Sequence, residues 1–536
     1  MSDKIANWSS RDDAMVENAI RRGANRRELL QMMLMGGVAL AAGTTILGRA
    51  TAALAAEPVK GGHLRAAGWT SSTADTLDPA KASNSTDYSR ICCVYNRLTF
   101  IDGSGKATME LAESIESQDA KVWTIKLRKG VTFHDGKSLT AKDVVFSLKR
   151  HLDPAVGSKV NAIAKQFADV KAVDDATVEI TLNAPNADLP TILGLHHFMI
   201  VADGTSDFSK GNGTGPFKLR EFQPGMRAVV ERNENYWKEN GPYLDSFESF
   251  AIADETARRN ALLSGDIGLA ANLNPRSVRA LENDPAAQLF VSKLGTYTNL
   301  NIRLDAAPGD KAGVIEGFKY LVNRETIQKS VMRGLAELAN DHPIPSWNPY
   351  FNAELKQREF DPERAKSLFQ KAGVMGQEIH VTASEAATAS LDYAAVVQQA
   401  AGQIGLNMVI DRVPSDGYWS NHWIKDAAHF GNINARPTPD ILFSLLYQSE
   451  AAWNESGYKS PKFDSMLLEA RGLLDEAKRK EIYGEMQAMI HNDAGTIIPV
   501  FQSNVDGVAP KLRGLVSNPL GGQMGFNAAA YVWFEA

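Results

Sequence analysis

The sequence predicts an α/β protein built on more than one core, and three observations carry that prediction. Glu378-Ile-His-Val-Thr382 reads as a strand, Asp392 to Ile404 as a helix and Asn407-Met-Val-Ile-Asp-Arg-Val413 as a second strand. A βαβ unit of this kind is right-handed with parallel strands. Strand-like and helix-like stretches also alternate along the rest of the chain. Finally, about 480 residues remain after an N-terminal leader, too many for one core, so two or three domains are expected.

The leader comes first. Asn25-Arg-Arg-Glu-Leu-Leu-Gln31 precedes an apolar run from Met32 to Leu47, and Ala53-Leu-Ala55 follows as a small-residue cleavage site. A charged region, an apolar region and a small-x-small site make residues 1–55 a secretory signal. The run is short and Gly-rich for a bilayer span. Arg26-Arg27 with Leu29-Leu30 is similar to the twin-arginine form, which exports folded proteins. Asn25 departs from its usual Ser or Thr, and Gln31 from its usual Lys. No cysteine follows the run, which speaks against a lipid anchor. The only cysteines, Cys92-Cys93, are neighbours within the apolar stretch Ile91 to Tyr95 and read as two buried thiols. Adjacent cysteines are poorly placed for a disulfide or a metal.

The next elements are clear in pattern. Trp123, Ile125 and Leu127 alternate with Thr124, Lys126 and Arg128, the period of a half-buried strand. Asp135-Gly136 supplies a turn. Thr140 with Asp143 three residues on reads as a capping box, with Val144, Val145 and Leu148 on one helix face. Val178-Glu-Ile-Thr-Leu182 alternates as a strand. Gly211-Asn-Gly-Thr-Gly-Pro216 reads as a plain turn, since a phosphate-cradling loop needs a helix directly after it and here Pro216 and a strand follow. Phe217-Lys-Leu219 and Ala228-Val-Val-Glu231 are strand-like. Glu255 to Gly265, Phe318 to Leu335 and Asp475 to about His491 read as helices. Asp361 to Gly373 is a helix cassette with Asp361 as N-cap, Pro362 at the first position and Gly373 as the stop.

Composition excludes some classes. Hydrophobic content of 44% and charged content of 22% are ordinary for a soluble globular chain. Beyond residue 56 the balance is 50 basic against 58 acidic side chains, with no basic tract, which argues against nucleic acid as partner. The sequence has no G-x-S-x-G, no H-E-x-x-H and no P-loop. His196-His197 would face opposite ways in a strand, and Asp174-Asp175 marks a turn rather than an acid/base pair. No nucleophile and base stand together, so a binding protein is favoured over an enzyme, with no cofactor.

As a string, Val122 to Leu148 resembles the signature of the periplasmic peptide/nickel solute-binding family of ABC importers. The resemblance spans the mature chain. It includes Leu77-Asp-Pro79, Val94-Tyr-Asn-Arg-Leu98, Leu111-Ala-Glu-Ser114, Gly213-Thr-Gly-Pro-Phe217 and Glu231-Arg-Asn-Glu-Asn-Tyr-Trp237. Asn260 to Ile267, the 361–373 cassette and Tyr458-Lys-Ser-Pro-Lys-Phe-Asp464 continue it, while Gly268 departs from the acidic residue usual there. The resemblance implies a bilobal periplasmic binding protein of the type II, large peptide-binding subclass, with an extra subdomain in lobe I and two hinge crossovers. Lobe I would be 56–301, with an insertion about 91–228 and a return at 499–536; lobe II would be 302–498. Such a monomeric receptor closes on a small-molecule or short-peptide ligand and delivers it to an inner-membrane permease.

Specificity is expected to depart from that of peptide receptors in the family. Those grip a free amino group with an acidic residue whose place here falls at Ala435, and Arg436 is next to it in the loop Gly431 to Asp440. A guanidinium suits a carboxylate or phosphate, so a peptide-like or opine-like, anionic solute is expected. A salt bridge within the lobe is the alternative role for Arg436. Asn432 lies in the same loop. Parallel sheets place ligands at the carboxyl ends of their strands, so Tyr418 and Trp419 after one strand, and Glu385 after another, should face the cleft, with Tyr447, Trp453 and Asn454 as further wall. A peptide-directed enzyme or chaperone on this scaffold, or metal-chelate binding, are the competing functions.

Overall fold

The computed structural model describes residues 57–275, 278–282 and 284–535; the leader lies outside them. The first sheet has eight strands. Across it run Gln288–Lys293, Val500–Val508, Leu269–Ala270, His63–Gly68, Ser246–Ala251, Arg227–Arg232 and Phe217–Gln223, and Ala336–Leu338 pairs with Val500–Val508 as well. The C-terminal return therefore sits inside a sheet otherwise made by strands between residues 63 and 293, with Ala336–Leu338 added from the segment expected in the second lobe. Leu64, Phe217, Val230, Phe247 and Val508 bury their side chains together under the helix Ser85–Val94, which carries Cys92 and Cys93 as buried free thiols.

A four-stranded antiparallel sheet is inserted after this helix, made of Ala112–Ser117, Val122–Leu127, Thr177–Leu182 and Phe167–Asp174. Trp123, Ile125 and Leu127 are buried and the residues between them exposed, as the alternation requires. The helix Ala141–Lys149 packs on this sheet through Val144 and Leu148. Asp143 accepts the Thr140 N–H at 2.7 Å, which fixes the helix start. The inserted sheet is narrower than the 91–228 expected, because Phe217–Gln223 already belongs to the large sheet.

The second lobe is organised on a five-stranded sheet whose strands we label in chain order: β1 Tyr297–Ile302, β2 Glu378–Ala383, β3 Asn407–Arg412, β4 Ala428–Ile433 and β5 Thr496–Ile497. Its order is β3-β2-β4-β1-β5, with β2 parallel to both β3 and β4. One face buries Leu300, Val381 and Phe430 against the helix Ser390–Ile404. The other buries Tyr297 and Ile433 against Pro439–Leu446, Pro461–Gly472 and Glu476–Asp493. The change of sheet falls at 294–296 and again at 498–499, with Ala336–Leu338 returning to the first sheet in between, so β1 lies wholly in the second sheet, ahead of the boundary expected at 301.

The single helix expected from Phe318 to Leu335 is two. Val314–Leu321 ends before Asn323, whose side chain caps a second start by accepting the Thr326 N–H, and Ile327–Val331 continues as a π-helix. Apolar residues at helical spacing continue through Val322 and hide the break, which the capping asparagine makes. Away from the crossovers, the insertion also meets the second lobe. Ala187 N–H donates to Arg471 O at 2.8 Å, and Arg479 and Asp188 form a buried ion pair.

Candidate functional site

β2, β3 and β4 all end at one edge of the second sheet, at Ala383, Arg412 and Ile433, and antiparallel β1 begins there at Tyr297. Both crossovers to the first lobe leave from the same edge. The loops 384–389, 413–417 and 434–438 are therefore carried at the rim that faces the first lobe.

Thr298 is the polar node of this rim. Its hydroxyl donates to Thr388 O at 2.7 Å and accepts from Asn432 Nδ2 at 2.9 Å and from Gln502 Nε2 at 3.1 Å. Gln502 belongs to the first sheet, so the node ties that sheet to β1, to β4 and to the 384–389 loop. Half-buried Asn432 is thus placed at the rim. Glu385 is exposed in its loop.

Arg436 is partly buried, and its Nη1 donates only to the carbonyls of Asn434 at 3.3 Å and Ala435 at 3.1 Å. It makes no ion pair with a carboxylate among the described residues. Burial pushes its pKa down, with the Tyr297 phenol opposing. The salt bridge within the lobe that was the alternative role for this residue is not formed. Thr438 caps the helix that follows, and Pro439 occupies its first position, which pins the loop's end.

Tyr418 has a different place from the one expected. It is fully buried, and its hydroxyl donates to Phe430 O at 2.7 Å and accepts from Phe430 N at 3.1 Å. β2 and β4 pair only at Thr382 and His429, so beyond that point the sheet is split. The tyrosine hydroxyl serves as the missing strand partner of Phe430 and satisfies two backbone groups that burial would otherwise leave costly. Asn454 is likewise a loop clamp: buried, it accepts the Tyr458 N–H and donates to Tyr458 O and Gln448 O. Tyr447 is buried in the core of the second face. Polar and aromatic side chains suit pockets and buried loop struts equally, so sequence could not separate the two.

Trp419 and Trp453 are 42% and 37% exposed, and each meets Trp423 edge to face, with ring centroids 5.6 and 5.4 Å away. The sequence reading missed Trp423 and Glu455. Trp423 Nε1 donates to Glu455 Oε1 at 2.6 Å, and Asn299 Nδ2 to Oε2 at 2.8 Å. Gly431 makes the seat, since a Cβ there would overlap the carboxylate. The sequence put Gly431 and Asn432 in a loop, but both lie inside β4, where a glycine marks close approach of another group. Burial pushes the Glu455 carboxyl up to about 7 against the hydrogen bonds from Asn299 and Trp423. A folded pKa raised above the unfolded value of about 4.3 contributes stability that is complete below that value and lost as pH rises through about 7. Glu455→Gln should remove this slope. Denaturation midpoints from pH 5 to 8 should show the variant gaining on the wild type as pH rises; parallel curves would show that Glu455 does not titrate there.

Residues 106–455 match the family described as bacterial extracellular solute-binding proteins, family 5. The chain belongs to this family. It is 29% identical over 471 residues to the heme-binding protein A of Haemophilus influenzae, covering 80% of this chain and 85% of that one. It is 27% identical over 471 residues to the dipeptide-binding protein of Escherichia coli, covering 80% and 87%. The periplasmic binding protein DppA of Helicobacter pylori, solved with the peptide STSA, superposes with a TM-score of 0.68 at 25% identity, over 89% of this chain and 99% of that one. Family 5 proteins are the periplasmic solute-binding components of ABC importers, not enzymes, and their partner is a membrane permease. Among the described residues no helix is long and apolar enough to cross a membrane.

Proposed function

We propose that this family 5 receptor captures a small peptide-like or opine-like solute with an anionic group, and that Arg436 binds that group. The observation behind the reading is a partly buried guanidinium at the cleft rim with no carboxylate partner among the described residues. A cation withdrawn from water stands to gain most from an anion that arrives with its own charge. Asn432 adds a second reason. Phe430 turns its N–H and C=O away from β1, toward Tyr418. Two residues on, Asn432 turns its backbone groups the same way, and among the described residues no strand pairs with it on that side. An extended, peptide-like ligand can complete that edge. Trp419, Trp453 and Glu385 are proposed as outer wall, and 294–296 with 498–499 as the hinge.

Mass spectrometry of the solute released from purified protein tests this reading. An unmodified peptide-like or opine-like acid is expected; a neutral or purely cationic solute would overturn it. The Arg26-Arg27 pair supports export by the twin-arginine route. Arg26→Lys with Arg27→Lys should leave uncleaved precursor in the cytoplasm, and normal periplasmic accumulation in that variant would rule the route out.

A further inference from the structure

We propose that Tyr418 limits the length of ligand this receptor accepts, by closing the open edge of β4 immediately beyond Asn432. The inference rests on the reading above that the ligand is peptide-like and extended.

The split between β2 and β4 leaves a strand edge, and an edge is a template for a further strand. Asn432 offers one N–H and one C=O to it. The next pair facing the same way belongs to Phe430, about 7 Å further along at the usual rise of a strand. Both groups of Phe430 are taken by the Tyr418 hydroxyl, at 2.7 and 3.1 Å. The phenol is not a loose plug. It is fully buried, and its ring meets Trp419 edge to face at 5.1 Å and stacks with His422 at 6.1 Å. A ligand lying along β4 can therefore pair with Asn432 and cannot continue down the sheet.

The other direction along the edge leads to the loop Asn434 to Thr438, which carries Arg436. A ligand with its acid group on Arg436 and its backbone on Asn432 spans two or three peptide units before the closed position. The expected ligand class is accordingly of dipeptide or tripeptide size. Tyr418 acts as a steric stop and makes no polar contact with the ligand, because its hydroxyl is already committed on both sides.

The test uses a synthetic library of peptides two to six residues long, offered to protein freed of its own solute, with the retained peptides read by native mass spectrometry. Wild type should retain dipeptides and tripeptides roughly tenfold or more over pentapeptides and hexapeptides, as expected for a steric block. Tyr418→Phe keeps the ring and should keep the length limit even where the lost hydroxyl lowers stability. Tyr418→Gly removes the ring and should admit peptides about two residues longer, the spacing between Asn432 and Phe430 along the strand. Equal retention of long and short peptides by wild type would overturn the length limit while leaving the peptide reading intact. Retention of no peptide by wild type would overturn that reading and the length limit with it. A folded Tyr418→Gly variant with an unchanged length profile would remove Tyr418 from the role. Should that variant not fold, Tyr418→Leu, which keeps an apolar side chain shorter than the ring, takes its place: a shift of the profile towards longer peptides is expected, and an unchanged profile would remove Tyr418 from the role.

Discussion

Arg436→Ala should weaken binding of the solute recovered from wild type and barely move the melting temperature of the ligand-free protein. Truncating one partner of a buried charge-assisted pair typically costs about 2–5 kcal/mol, which is roughly thirtyfold to several thousandfold in affinity. The ligand-free fold should tolerate the change because Arg436 contributes only bonds to the carbonyls of its own loop. Removing a partly desolvated cation with no carboxylate beside it also relieves a cost. Calorimetric titration and thermal melts on the one variant separate the two effects. An unchanged dissociation constant would take Arg436 out of the site and reopen the case for a ligand held without an anionic grip. A large fall in melting temperature with affinity retained would make it a strut of the loop.

Asp341→Ala should destabilise the second lobe by about 3–5 kcal/mol, the usual cost of breaking a buried charge network by removing one partner. Asp341 is fully buried and binds Arg324 Nη2 through both carboxylate oxygens at 2.6 Å. Arg358 Nε stands 3.3 Å from it, and it accepts the Ile498 N–H of the second crossover at 3.2 Å. Burial works against its charge, but Arg324, Lys319 and Arg358 together hold its pKa below the ordinary carboxylate value. Lys319 donates to the carbonyls of Ile490 and His491 at the end of the helix Glu476–Asp493, and burial brings its pKa down to about 7. Without Asp341, the guanidiniums of Arg324 and Arg358 would be left buried together without the carboxylate that binds them, and Lys319 would lose the main charge that supports its proton. Denaturant titration followed by tryptophan fluorescence should show the loss. A change within about 0.5 kcal/mol, the range of a surface substitution, would mean that water or another group compensates the two guanidiniums.

Much of the fold was legible because it is written in local pattern. The strand at Val122–Leu127, the helix Ala141–Lys149 and the cassette at 361–373 follow from alternation, capping and a glycine stop, which act within a few residues. The βαβ unit at 378–413 was legible for the same reason, and the loops 384–389 and 413–417 do follow the ends of its strands. The break at Asn323 was not, since apolar periodicity continues through it and only the capping bond reveals the restart.

The candidate site divides in the same way. The sequence by itself determined the α/β class, the family resemblance and the presence of Arg436 beside Ala435, the position to which that resemblance assigns an acid in peptide receptors. Each of these depends on residue identity at a position in the chain. Only the tertiary structure decided which groups Arg436, Tyr418, Asn454 and Glu455 meet within the protein. Arg436 finds no internal anion, Tyr418 fills a gap between strands that are not neighbours in sequence, and Asn454 ties its own loop. Glu455 reaches Asn299, 156 residues away, and Trp423, 32 residues away. Whether a polar side chain meets a ligand or the protein depends on which distant backbone groups are left without partners. Strand pairing sets that condition, and it exists only once the sheets have formed.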